Sequence, residues 1–269
     1  KKFYPPGNGG WKGMVPTQNQ VDAYETINGL SITDDSMYDP QDPYTNRDPR
    51  LSASILHQDS PFPYTEGSGP MGTPGEMRKI DFVSGGLDAV DGPNMREATA
   101  MGYSLHKFIR VSSDDVEANS RRGSNPNWAY SRLGEMYLIM AEAQYYLGNE
   151  GEARTYLNKV RSRVSMPDVT DTGSDLEERI RNERRIELFC EEHRYFDMRR
   201  WQLTTSADGS TGLRDKIWRV TVARDGAGVL SYTYEGWKDF ALPSHMYLSP
   251  VSAGEIDKDP NLLPNNPGY

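Results

Sequence analysis

The 269-residue sequence predicts a mainly α-helical protein that also carries a large loop-rich insert and a small β-hairpin. Apolar residues recur at helical spacing from residue 129 onward. The first half concentrates Gly and Pro, which is typical of irregular and turn-rich structure. Apolar and polar residues alternate on both sides of Arg224–Gly228, which indicates a β-hairpin. We therefore expect one domain over 1–269, with a loop-rich part at 1–126, a helical part at 127–203, and a hairpin with an extended tail at 204–269.

Two of the predicted helices form an antiparallel hairpin, since only Gly148–Gly151 separates them. The first runs from Ala129 to Leu147 and the second from Glu152 to Val164. The pair resembles one tetratricopeptide repeat through Tyr130, Leu133, Gly134, Tyr137, Ala153, Leu157 and Pro167. A single repeat cannot bury its own apolar surface, so we expect an exposed stacking face on the first helix.

Other elements are predicted from capping and periodicity. A third helix starts at Ser174, with Glu177 completing a capping box, and runs toward Glu192; residues 194–201 continue it or form a short helix of their own. The remaining predictions are a short helix from Thr17 through Ile27 with a capping box of Thr17 and Gln20, hairpin strands at Ile217–Val222 and Val229–Tyr234, and an extended tail at Leu248–Tyr269.

Charge and composition exclude several classes of protein. Acidic residues outnumber basic ones by 39 to 30, and the net charge of -9 would repel nucleic acid. Cys190 is the only cysteine, which excludes an intrachain disulfide and a cysteine-based zinc site. It falls in a helical pattern, and we predict that it is a small buried hydrophobe. The chain begins at Lys1 without a signal-peptide pattern, so we expect it to be part of a longer protein.

The densest charge cluster lies between Glu177 and Arg200. Two of its carboxylates could serve as the acid and base of a glycosidase. The alternative is a structural helix with equal numbers of acidic residues and arginines, which form pairs such as Glu177–Arg181, Glu191–Arg194 and Asp197–Arg200. We favour this alternative because the cluster contains arginine and no lysine, and arginine suits fixed bidentate pairing. The predicted structural ion-pair network contains Glu183, Arg184, Arg185, Glu187, Arg194, Asp197 and Arg200.

No cofactor or metal is predicted. The histidines, including His193, are isolated and follow no metal-binding spacing. The match to G-x-G-x-x-G at Gly67–Gly72 lacks the flanking strand and helix of a nucleotide site, so we interpret it as accidental. The acidic stretches at Asp34–Asp35 and Asp39–Asp48 lack the spacing of an EF-hand, and calcium binding there stays open.

A compact aromatic group near the N-terminus is the best candidate binding site. Tyr4, Asn8, Trp11 and Lys12 lie in a glycine-rich loop, where an exposed ring can stack on a sugar and polar side chains can bind its hydroxyls. The alternative is that Trp11 covers the core beneath the loop. Trp201, beside the charged helix, is predicted to be in the core.

Several segments together resemble the SusD/RagB family of nutrient-binding lipoproteins of Bacteroidetes. The matching segments are Ile180–Leu188, which reads IRNERRIEL, with His193–Trp201, which reads HRYFDMRRW, together with Arg132–Ala143, Leu157–Arg163, Pro16–Gln18 with Val21–Tyr24, Asn46–Arg50, and Pro260–Leu262 with Asn265–Tyr269. They occur in the family's order over nearly the whole chain. Cys190–His193 departs from the usual approach to the second segment.

The resemblance implies a mainly α-helical fold and structural roles for these motifs. It also implies a lipid anchor on the outer membrane, carried by an N-terminal half that this chain lacks, and a SusC-like TonB-dependent transporter as partner. The loop before Pro16 resembles a region that contributes to some glycan sites, which favours Trp11.

We therefore expect a non-catalytic protein that captures oligosaccharide or polysaccharide at the cell surface for import. Three alternatives stay open: capture of peptides or glycopeptides, hydrolysis by a carboxylate pair in a cleft, and a helical scaffold without a ligand of its own.

Overall fold

The computed structural model describes residues 3–11, 13–64, 73, 75–94, 98–109, 128–203 and 213–269. They belong to two compact units. The first comprises Lys1–Cys190 with Trp218–Glu235, and the second comprises Glu191–Ile217 with Gly236–Tyr269.

The helices and strands confirm a mainly helical fold with small antiparallel strand pairs. The helices are α1 (Gln18–Asp22), α2 (Arg50–Ser54), α3 (Leu133–Tyr146), α4 (Glu150–Ser162), α5 (Gly173–Glu187), α6 (His193–Arg200) and α7 (Ala253–Lys258). The strands are β1 (Ile55–Leu56), β2 (Pro61–Pro63), β3 (Met77–Lys79), β4 (Ser104–Leu105), β5 (Leu213–Arg224) and β6 (Leu230–Leu242), and they pair as β1–β4, β2–β3 and β5–β6. None of the helices in the described part of the chain is long and apolar enough to cross a membrane.

Helices α3 and α4 form the predicted hairpin. Gly148 follows α3 with a φ of 80°, and the next N–H, from Asn149, donates to the Gln144 carbonyl at 2.8 Å. The facing sides of α3, α4 and α5 bury one apolar cluster, to which Val169 of the α4–α5 loop and Leu188 just after α5 also belong. Its helical members are Leu138, Ala141, Ala153, Leu157, Val160, Leu176 and Ile180. Both hairpin helices are close to their predicted extents, although α3 begins only at Leu133.

The opposite side of α3 is apolar and exposed. Leu133, Met136, Met140 and Leu147 recur at helical spacing, and their exposed fractions run from 37% at Met140 to 71% at Leu147. The exposed face that the single repeat predicts is therefore confirmed.

The predicted capping box of α5 is absent. Thr172 is the N-cap and makes no side-chain cap bond. The Glu177 carboxylate accepts hydrogen bonds from the Tyr146 hydroxyl at 2.6 Å and from Arg181, so it is committed elsewhere and does not pair with Ser174.

A turn separates α5 from α6, and it ends α5 at Glu187, before the predicted end at Glu192. Cys190 and Glu192 both adopt left-handed backbone conformations, with φ values of 61° and 66°, which a helix cannot continue through. The prediction that Cys190 is buried in a helix is wrong, because its half-buried side chain lies in this turn, 3.6 Å from the Met14 sulfur. Trp201 is also half-buried at the end of α6, with Arg200 stacked 4.5 Å from its ring centre, so its predicted core position is wrong.

Helix α1 is shorter than predicted and ends at Asp22. Thr17 makes no side-chain cap bond, so the predicted capping box is absent. The buried Arg47 guanidinium donates to the carbonyls of Val21 and Tyr24 at 2.8 Å each. The Val21 carbonyl also accepts the Tyr24 N–H at 3.3 Å, which is a bond of a tight turn and not the bond to the fourth residue that continues an α-helix.

The loop-rich part has a core of its own. Val21, Tyr24, Ile55, Phe62, Ile80 and Tyr103 are buried together with Val220, Val222 and Tyr232 from the β5–β6 hairpin. The hairpin strands are longer than predicted. Val220 and Val222 alternate with the exposed Thr221 along β5 and enter this core, whereas the tip at residues 223–229 is exposed. The C-terminal tail is not wholly extended as predicted, since α7 and a 3-10 turn at Pro260–Leu262 interrupt it.

Candidate functional site

The N-terminal loop turns back on itself before it reaches Trp11. A 3-10 turn at Pro6–Asn8 ends at Gly9, whose φ is 69°. The Gly10 N–H donates to the Pro5 carbonyl at 3.1 Å, and a Cβ on Gly10 would lie 1.7 Å from the Tyr4 carbonyl oxygen. Only glycine permits this close approach, so the loop sequence itself defines where the following residue emerges.

The loop separates its two aromatic residues. Trp11 has an exposed fraction of 52%, whereas Tyr4 is 8% exposed and belongs to the core. Trp11 thus offers a ring face to solvent, and Tyr4 anchors the loop beneath it. Lys12, the fourth predicted ligand residue, lies outside the described residues.

Asn8 is a structural residue and does not face a ligand as predicted. Its side-chain amide donates to the Pro63 carbonyl at 2.8 Å, and its amide oxygen accepts two hydrogen bonds from Arg78. Arg78 is paired with Asp88, which also accepts from the Gly7 N–H at 2.8 Å. The side chain of Asn8 is 1% exposed, so its polar atoms hold the loop to β2 and β3 and are not offered to a sugar hydroxyl.

The surface beside Trp11 is shallow. Phe3 and Met14 are 45% and 49% exposed and adjoin Trp11 around a depression that also includes Thr99 and Ser104. The enclosed volume is only about 10 Å³, which is room for one water molecule. This geometry suits stacking of a flat ligand face on the surface and does not suit engulfment of a whole ligand.

The acidic residues of α5 form a buried ion-pair network with distant arginines. Glu183 accepts from Arg50 and, at 3.0 Å, from Arg161, which also pairs with Glu25 at 2.8 Å. Glu187 is paired with Arg50 at 2.9 Å, and Arg132 and Arg163 bind the same carboxylate. The network ties the loop-rich part, through Arg50 and Glu25, to α4 and α5.

These contacts make Glu187 unsuited to act as a general acid. Burial alone would raise the pKa of its carboxyl group, but the hydrogen bonds and charges of Arg132 and Arg50 lower it to about 2. A glycosidase acid needs a raised pKa so that it holds a proton near neutral pH. The structural interpretation of this carboxylate is therefore favoured.

The other predicted members of the network make both local and long-range contacts. The pairs Glu177–Arg181 and Asp197–Arg200 are present, the second at 2.8 Å. Arg184 lies 3.8 Å from Glu142, and Arg185 donates to the Gln20 side chain and the Asn19 carbonyl. Arg194 lies in α6, and its pairing with Glu191 stays a prediction.

Sequence reasoning missed most of the partners in the network. It paired the acids of α5 with neighbours on the same helix, whereas the structure brings in Glu25, Asp48, Arg50, Arg132, Arg161 and Arg163. The available signal was that most of these residues lie within the short segments Asn46–Arg50 and Leu157–Arg163, which the family resemblance had already singled out.

Metal-binding groups are not found within the described ranges, which hold no cluster of three or more His, Cys, Asp or Glu side chains. Asp35 of the first acidic stretch instead accepts from Thr26 at 2.6 Å and Asn28 at 2.9 Å, and these bonds lower the pKa of its carboxyl group. Asp48 of the second stretch is paired with Arg50. The Gly67–Gly72 segment lies outside the described residues.

Comparison with known proteins agrees with this fold. The family model described as the SusD family matches residues 1–269, and the chain belongs to that family. A SusD-like protein of Bacteroides fragilis has a TM-score of 0.70 and 28% identity, over 97% of this chain and 48% of its own. A SusD-like carbohydrate binding protein of the same species has a TM-score of 0.67 and 26% identity, over 97% of this chain and 50% of its own.

Curated relatives match over shorter stretches. SusD-like protein P2 of Formosa agariphila is 30% identical over 175 residues, which are 61% of this chain and 30% of that protein. SusD-like protein P25 of the same organism is 35% identical over 111 residues, or 38% and 20% of the two chains. The chain thus spans about half the length of the solved relatives and less of the curated ones.

Proposed function

We propose that this protein captures extracellular glycan without cleaving it. The observation that carries the proposal is the exposed ring of Trp11, presented at 52% exposure on a loop that buried hydrogen bonds hold in place. A rigid flat ring stacks on the apolar face of a sugar with little loss of conformational entropy. Membership of the SusD family, and a solved relative described as carbohydrate binding, support the same class of ligand.

The ligand would lie across the shallow surface next to Trp11. Phe3 and Met14 would extend the apolar contact. Thr99 and Ser104 also line the depression, but they are 5% and 3% exposed and form its floor. Tyr4 acts from below as the anchor of the loop. Lys12 stays a proposed ligand residue on sequence grounds.

The remaining parts of the proposal follow from the family. The whole protein would be held by a lipid anchor at the outer face of the outer membrane, and it would pass oligosaccharide to a SusC-like TonB-dependent transporter. Neither role requires a catalytic carboxylate pair. This agrees with the structure of α5, where the carboxylates of Glu183 and Glu187 are paired with arginines.

Affinity electrophoresis of the full-length protein against a polysaccharide panel tests this function. Retardation by a glycan should be lost in Trp11→Ala and kept in Trp237→Ala, which removes a tryptophan of similar exposure (49%) from β6. Reducing ends should not increase during incubation. Sugar release would overturn the non-catalytic proposal, and affinity for peptides without affinity for any glycan would replace glycan by peptide capture.

A second candidate is a scaffold role within the transporter complex. The exposed apolar stripe of α3 supports it, because such a stripe is the surface on which another helix packs. Transporter binding that persists in Trp11→Ala and disappears in Met136→Glu, in a protein with no saccharide affinity, would favour this role.

A further inference from the structure

A cleft of about 1010 Å³ lies within the second unit. One wall is α6, and the other is formed by residues 245–249 and the last residues of the chain. Its volume is at the upper end of the roughly 300–1,000 Å³ that is typical of ligand sites. It shares no residue with the Trp11 surface.

Specific bonds build the walls of the cleft. The Tyr247 hydroxyl donates to the Leu203 carbonyl, just beyond α6, at 2.9 Å. Asn265 exchanges two hydrogen bonds with the backbone of Val251, and Asn266 donates to the Ser249 carbonyl at 2.6 Å. These contacts hold the C-terminal residues against the 249–251 segment, so both sides of the cleft are defined by polar bonds.

A close backbone approach completes the C-terminal wall. Gly268 has a φ of 94°, and a Cβ there would lie 2.5 Å from the Cβ of His245. Only glycine fits this position, so His245 and the C-terminus stay in contact, with the rings of His245 and Tyr269 5.2 Å apart.

The charge of the cleft is opposite to that of the chain. Arg199, Arg200 and His245 line it, and its lining contains no Asp or Glu as far as the structure describes it. The chain as a whole has 39 acidic and 30 basic residues, so a described lining that contains two arginines and no acidic residue stands out against the overall charge. Asp197 pairs with Arg200 from a buried position outside the lining.

Arg199 is held by an aromatic ring. Its guanidinium carbon lies 3.4 Å from the ring centre of Tyr195, and within the described residues it forms no ion pair. The ring contact restrains the guanidinium group, and no carboxylate of the described residues neutralises its charge. A guanidinium group in this state can bind an incoming anion through two N–H groups. Phe196, 64% exposed next to Tyr195, adds a flat apolar ring for the sugar itself.

We infer that this cleft binds the anionic group of an acidic saccharide, either the carboxylate of a uronic acid or a sulfate ester. Arg199 binds the anion, the imidazole of His245 lies in the same lining, and Phe196 stacks on the sugar ring. The inference rests on the proposed glycan capture and narrows it to acidic chains with a second contact away from Trp11.

Isothermal titration of the full-length protein tests the inference. The probes are an oligogalacturonate, a sulfated galactan oligosaccharide and a neutral malto-oligosaccharide of equal length, each in low and high salt. Arg199→Gln should weaken binding of the acidic probe about tenfold, the value of one charge-assisted contact, and leave neutral binding unchanged. Lys258→Gln, which removes an exposed cation of the same unit from outside the cleft, should change neither.

The outcomes separate the two proposals. Tighter binding of the uronate or of the sulfated probe, weakened by salt and by Arg199→Gln, identifies which anion the cleft takes. Acidic probes that bind no better than the neutral one, or binding that Arg199→Gln leaves intact, overturn the cleft site while Trp11-dependent capture stands. Absence of binding by all three probes overturns the cleft site, and absence of retardation by every glycan of the polysaccharide panel overturns the glycan proposal itself.

Discussion

Replacing Glu183 by glutamine keeps the size of the side chain and removes a charge from the centre of the buried network. Glu183 is 1% exposed and bridges Arg50 and Arg161, of which Arg161 is 2% exposed. Breaking a buried ion pair on one side costs about 3–5 kcal/mol of unfolding free energy, because the remaining charge stays buried and unpaired. Arg50 keeps Asp48 and Glu187, and Arg161 keeps Glu25, so we expect the lower end, about 3 kcal/mol.

Thermal and urea unfolding followed by circular dichroism measure this loss. At about 2–4 °C per kcal/mol for a chain of this size, Glu183→Gln should lower Tm by about 6–12 °C. The matched control is Glu255→Gln, whose partner Lys258 has a 72% exposed side chain, and its loss should stay below about 1 kcal/mol. A Glu183→Gln variant as stable as the control would refute the view that this network joins the loop-rich part to the helices.

Two further predictions concern the loop and the pH dependence of stability. Gly10→Ala should abolish retardation by the glycan, since the new Cβ would overlap the Tyr4 carbonyl. The control is Gly151→Ala, where nothing lies within 4 Å of the new Cβ, and it should leave retardation unchanged. Equal retardation of both variants would contradict the loop geometry. The pKa of Glu187 is about 2 in the folded chain against a usual 4.5, so the unfolded state binds the proton more tightly and stability should fall as the pH is lowered from about 5 toward 2. Urea unfolding at a series of pH values measures this effect. The free energy of unfolding should depend less on pH in Glu187→Gln than in the wild type, and an equal dependence on pH in the two proteins would argue against the lowered pKa.

Sequence periodicity predicted the helical hairpin well because its contacts are local. Gly148 and the apolar spacing of α3 and α4 are read within a few residues of each other, and the exposed face of α3 follows from the same pattern. The end of α1 could not be predicted from local periodicity. Arg47, which binds the Val21 carbonyl at this end, lies 26 residues further along the chain.

The candidate site was predicted only in part for the same reason. Trp11 is exposed as the glycine-rich loop suggested, but Asn8 is buried by Arg78, whose side chain reaches it from 70 residues away. Likewise, the pairs within α5 and α6 were predictable at helical spacing, whereas Arg50 reaches Glu183 across 133 residues. A periodic pattern within one segment cannot identify a polar partner that is distant in the sequence. The sequence therefore showed which segments are charged but not which residues pair.

We propose that Trp11 forms the contact surface for a captured glycan. The most direct test of this claim is the dissociation constant of the full-length protein for the glycan that retards it, measured by isothermal titration for the wild type, Trp11→Ala and Trp237→Ala. Loss of a stacked ring should weaken binding at least about tenfold, or about 1.4 kcal/mol, in Trp11→Ala alone. Equal affinity of the wild type and Trp11→Ala would contradict the claim.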